Sequence, residues 1–109
     1  MANLISWITD AAQGESIEAV VIGEMGWGDY RSNAVPNCAN QPRGQPISFE
    51  EAKRWLDYEF DDGFGSPRCN AIYAWTKSWV IFISQYDGST QICAVPRHPV
   101  PCAPEMPGG

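Results

Sequence analysis

The chain has one histidine, no Cys-x-x-Cys pair, no glycine-rich phosphate loop and no long uninterrupted apolar run. Each absence removes a class of function. A membrane-spanning helix needs about 20 consecutive apolar residues, so no membrane partner is expected. Basic residues are also few: seven Lys and Arg against thirteen Asp and Glu give a net charge of −6. Phosphate backbones are gripped by clustered Lys and Arg, and here the basic residues are scattered, so nucleic acid is not an expected partner. The start carries no positive segment ahead of an apolar stretch, so no secretory signal is read there. The expectation is a soluble cytoplasmic protein in which Cys38, Cys69, Cys93 and Cys102 remain reduced thiols.

Chemistry-bearing clusters are equally sparse. Cys93, His98 and Cys102, with Cys69 or Cys38 as a fourth ligand, contain the donor atoms for zinc but not its paired knuckle. Asp57, Glu59, Asp61 and Asp62 look superficially like a calcium loop. Counted from Asp57, however, Asp62 falls where the invariant glycine belongs and Arg68 where the terminal glutamate belongs. His98 stands among prolines, with no orienting carboxylate beside it, so no nucleophile–base pair can be assigned. No catalytic residue, metal or cofactor is therefore expected.

What is abundant is hydrophobic and aromatic: 44% apolar residues, with five Trp, four Tyr and four Phe in 109 residues. That suffices for one folded domain with its own core. Residues 1–95 read as a single α+β domain and residues 96–109 as a proline-rich tail. Asn3 caps a helix from Leu4 to Gln13 that Gly14 ends. Ile17 to Glu24 reads as a strand. Met25 to Ile47 is rich in Gly, Pro and polar turn formers and reads as one long loop carrying Trp27, Tyr30 and Arg43. Ser48 and Glu51 form a capping box for a second helix that runs to Tyr58–Phe60, with Phe49, Ala52, Trp55, Leu56 and Phe60 as its apolar stripe.

The stretch from Ala71 to Val95 is the most specific. Ile72–Thr76, Trp79–Tyr86 and Gln91–Val95 read as three antiparallel strands, joined at Lys77-Ser78 and at the strong hairpin signal Asp87-Gly88. Because side chains alternate along a strand, pairing Thr76 with Trp79 sorts the residues onto two faces. One holds Ile72, Ala74, Trp79, Ile81, Ile83, Ile92 and Ala94. The other holds Tyr73, Trp75, Val80, Phe82, Tyr86, Cys93 and Val95. The second helix is expected to cover the isoleucine face, and the early strand to join the sheet at an edge. The result is a mostly antiparallel sheet of about four strands with two helices.

Both faces are apolar, and that is the functional lead. Tyr73, Trp75, Phe82 and Tyr86 can together present about 600–1,000 Å², whereas the largest apolar patch on a typical monomer is about 300–600 Å². The aromatic face, bordered by Trp27 and Tyr30, is therefore expected to be an interface between two copies of the chain. The alternative is a pocket for a small apolar ligand, or a small enzyme's site, edged by the 25–47 loop.

The blocks Ala71-Ile72-Tyr73-Ala74-Trp75-Thr76, Val80-Ile81-Phe82, Tyr86-Asp87-Gly88-Ser89-Thr90 and Val95-Pro96-Arg97-His98-Pro99 resemble small bacterial proteins of unknown function, some carried on mobile elements such as integron gene cassettes. The resemblance covers about 30 residues and implies a compact, often self-associating α+β domain. It brings no catalytic residues.

Overall fold

In a computed structural model, residues 1–26 and 38–106 are described. They form an α+β fold with two helices and six strands in two antiparallel sheets. In chain order these are β1 (Ala2–Asn3), α1 (Leu4–Ala11), β2 (Ala19–Met25), α2 (Phe49–Leu56), β3 (Glu59–Phe60), β4 (Asn70–Trp75), β5 (Trp79–Tyr86) and β6 (Ser89–Pro96), with one 3-10 turn at Cys38–Asn40. The main sheet has the order β2-β4-β5-β6, so the early strand does sit at an edge, beside the C-terminal meander.

The meander has the register that alternation dictates. Ala74 faces Ile81, Tyr73 faces Phe82 and Trp75 faces Val80. Across the second hairpin Ile83 faces Ile92 and Tyr86 faces Ser89. That leaves Asp87 and Gly88 as a two-residue turn with φ of 49° and 82°, the left-handed pair that matches strand twist. Gly88 is doubly constrained, since a Cβ there would stand 2.7 Å from the Phe64 ring. The 61–66 loop docks on this hairpin by two backbone bonds: Gly65 N–H to the Gly88 carbonyl and Thr90 N–H to the Asp62 carbonyl, both 3.0 Å.

The first hairpin lacks the residues that favour tight turns, and a carboxylate substitutes for them. Glu15, in the link from α1 to β2, accepts bonds from Thr76 Oγ1 and Ser78 Oγ at 2.6 Å and from Ser78 N–H at 3.0 Å. The bonds from Ser78 and Thr76 hold its carboxyl below the ordinary value of 4.5. A depressed carboxylate contributes stability above its unfolded pKa and loses it as pH falls through the folded one. Wild type should therefore melt above Glu15→Gln near neutrality, and the gap should narrow as pH drops below 4.5. Melting curves across that range check this; a gap that persists in strong acid would assign the effect to packing instead.

Two expectations need correction. The second helix stops at Leu56, not at Tyr58–Phe60. Asp57 leaves helical geometry (ψ 74°), and its carboxylate accepts from Asn3 Nδ2 at 3.0 Å. Glu59 and Phe60 then pair with Asn3 and Ala2 as a two-stranded sheet, and Phe60 meets Trp7 edge-on at 5.3 Å. Phe60 is thus core, but from a strand. The first helix likewise ends early, at Ala11. Both N-caps form, but of the capping box only the Ser48 half does. Asn3 accepts from Ile5 N–H at 2.8 Å, and Ser48 accepts from Glu51 N–H at 3.1 Å. The Glu51 carboxylate accepts from Trp55 Nε1 and pairs with Arg54.

The isoleucine face is covered by both helices, with α1 over β6 and α2 over β2. Leu4 and Ile8 of α1, with Ala52 and Leu56 of α2, close on Val20, Ile22, Ile72, Ala74 and Ile81 of the sheet. Helical spacing gives each helix one apolar stripe, and burying both stripes on one face uses all the described helical material.

Candidate functional site

The opposite face of the main sheet is open. Among the described residues no helix lies on it. Val21 of β2 joins it by facing Tyr73. Trp75, Val80, Phe82 and Cys93 are half-buried, while Tyr73, Tyr86 and Val95 are 56%, 53% and 46% exposed. Tyr73 and Trp75 contact edge-to-face with centroids 6.1 Å apart. The paired positions of this face carry no Asp, Glu, Lys or Arg, but Glu24, in the irregular stretch of β2, is exposed and lines the same side. Three of its polar groups meet: Ser84 Oγ lies 3.0 Å from Cys93 Sγ and accepts from Gln91 Nε2 at 3.4 Å.

The four described candidates therefore share one face. Tyr73 and Phe82 are direct cross-strand neighbours with Trp75 adjacent, whereas Tyr86 stands at the hairpin end, about 13 Å along β5. Trp27 and Tyr30 lie outside the described residues.

A groove of ≈ 530 Å³ opens at one side of this face. Val21, Tyr73 and Phe82 line its apolar part, and Glu24, Arg43 and Gly44 its rim. It forms where β2 and β4 lose register between Ile22 and Met25, and Gly23 admits the close approach of the Ala71 carbonyl. The returning loop closes the outer edge of β2. Ile47 exchanges backbone bonds with Val20 at 2.9 Å, and Gly44 N–H reaches the Ile22 carbonyl at 2.9 Å.

Beneath the rim lies a buried polar network that the sequence did not reveal. The side chains of Asn70, fully buried, and Gln41 form a reciprocal amide pair with bonds of 2.7 and 3.0 Å. Asn70 Nδ2 also donates to the Gly23 carbonyl at 3.0 Å, and Tyr58 OH donates to Asn70 Oδ1 at 2.8 Å. Arg43 donates to Gln41 Oε1 at 3.1 Å and pairs with Glu24 at 3.3 Å. Among the described residues no buried side-chain nitrogen or oxygen lacks a partner. A fully satisfied network fixes geometry; here it locks Arg43 and Glu24 in place beside the groove.

The thiols are dispersed. Cys69 is buried and burial pushes its pKa up to about 12, so it stays a thiol and neither attacks nor ligates readily. Cys93 is on the open face, and Cys102, like His98, is exposed on the tail. Among the described residues no three His, Cys, Asp or Glu side chains stand together as a metal site. No described helix is long and apolar enough to cross a membrane.

No protein-family model, curated protein or solved structure matches this chain.

Proposed function

We propose that this chain is a binding module that self-associates as a homodimer through its aromatic sheet face. One observation supports the reading: a four-stranded sheet face whose paired positions carry no charged side chain and whose Tyr73 and Tyr86 are half-exposed. Solvated sheet faces are polar in alternation with a buried face, and a large exposed apolar patch marks an interaction site. Of the described acidic residues, Glu24 lies at the edge of this face and is paired with Arg43.

Wild type should scatter light as a dimer at micromolar concentration, and Phe82→Glu, which places a charge at the centre of the face, should scatter as a folded monomer. Wild type that is monomeric at that concentration removes the reading.

The groove supports a second reading, since ≈ 530 Å³ falls within the ordinary range of ligand sites, about 300–1,000 Å³. Its occupant would be a small, largely apolar molecule lying against Tyr73 and Phe82. A thermal-shift screen separates the two readings, because a ligand at about 100 times its Kd adds roughly 2.7 kcal/mol without changing mass.

A further inference from the structure

This inference rests on the self-association reading and names the element that does the covering. Two sheets stacked face to face would leave a second apolar feature of the chain bare. Every residue from Arg97 to Met106 is exposed, and Met106 is 97% exposed. Val100 borders a hollow beside Trp79, yet it remains 52% exposed.

A proline-rich extended chain repeats every three residues. At that spacing Val100, Ala103 and Met106 form one row, His98, Pro101 and Pro104 the next, and Pro99, Cys102 and Glu105 the third. Beyond His98 the first two rows are apolar, and the third ends in Glu105. Aromatic surfaces bind this kind of segment because it is already extended and loses little entropy on docking. The face bearing Tyr73, Trp75, Phe82 and Tyr86 has that character, and the one acidic group at its edge, Glu24, is paired with Arg43.

The root of the segment is fixed. Arg97 N–H bonds the Ser78 carbonyl at 2.9 Å, and its guanidinium bonds the Thr76 carbonyl at 2.9 Å and Glu18 at 2.7 Å. From there nine residues at about 3.1 Å each reach roughly 28 Å, enough to cross a face about 23 Å long. In the single chain residues 97–106 are exposed, as are Tyr73, Tyr86 and Val95, so the described arm does not cover its own sheet. We propose that residues 98–106 of each copy lie along the aromatic face of the other, a reciprocal exchange of C-terminal arms.

The test uses the full chain. Sedimentation equilibrium compares wild type with the double variant Val100→Glu, Met106→Glu, both in exposed positions that folding does not need. NMR follows Tyr73, Trp75 and Phe82 of the variant as a peptide of residues 97–106 is added. The expected result is at least a tenfold weaker dimer for the variant, an unchanged melting temperature at high dilution, and peptide-induced shifts on those three residues. Equal dimerisation of both proteins overturns the arm and leaves the dimer standing. A weaker variant whose face is untouched by the peptide also overturns the arm. Monomeric wild type overturns both proposals.

Discussion

Asn70→Ala should lower stability by roughly 3–5 kcal/mol, because the substitution removes a fully buried side chain that makes four hydrogen bonds. Tyr58 OH loses the Asn70 Oδ1 acceptor but keeps the backbone N–H of residue 70, Gln41 loses both bonds of the amide pair but keeps Arg43, and the Gly23 carbonyl loses its side-chain donor. Each orphaned buried group costs about 1–3 kcal/mol, whereas a neutral hydrogen bond exchanged for water costs about 1 kcal/mol. A domain of this size loses about 4–8 °C of melting temperature per kcal/mol, so a fall of more than about 12 °C is expected. Asn70→Asp should fall in the same direction, since a carboxylate would then face Gln41 Oε1 and the Gly23 carbonyl with nothing to donate. Urea titration of the three proteins measures both effects. A loss under 1 kcal/mol for Asn70→Ala would mean that water replaces the amide, and the network would then not be what holds the loop to the sheet.

The network also shows where the sequence stops being legible. The register of the meander could be read, though not its strand ends, because Tyr73 to Trp75 and Trp79 to Phe82 alternate two apolar sets, and Asp87-Gly88 fixes parity across the second turn. Any slip by one residue would exchange the two faces. In β2, by contrast, Val20, Val21 and Ile22 are all β-branched and apolar, so no alternation tells which of them faces the helices. Pairing with β4 decides it, placing Val21 on the open face and Val20 and Ile22 in the core.

Asn70 and Gln41 were invisible for a different reason. Amide side chains in runs with glycine and proline read as turn formers, and only three-dimensional closure brings residues 29 positions apart into one buried pair. The end of α2 was misread because Phe60 continues the helical stripe, while the competing partner, β1, lies at the other end of the chain. The apolar character of both sheet faces was foreseeable from residues 72–95. That both helices would settle on the isoleucine face was not, because helix packing depends on connection geometry that periodicity does not encode.

Adjacent residues on β5 separate fold from function most sharply. Ile81 is completely buried under the helices, and Phe82, its neighbour, points to the open face. Ile81→Ala removes methylene groups from a closed core and should cost about 2–5 kcal/mol, at any protein concentration. Phe82→Ala removes a half-buried ring, so the dilute chain should lose much less. The two should differ in a second measurement. If two copies associate, association stabilises the folded chain by mass action and the melting temperature rises with concentration. That rise should persist in Ile81→Ala, on a lower baseline, and should vanish in Phe82→Ala. Calorimetric scans over a hundredfold range of concentration test both at once. A wild-type melting temperature that does not move with concentration would show that the aromatic face stays bare in solution. A rise that survives Phe82→Ala would place the contact somewhere other than this face.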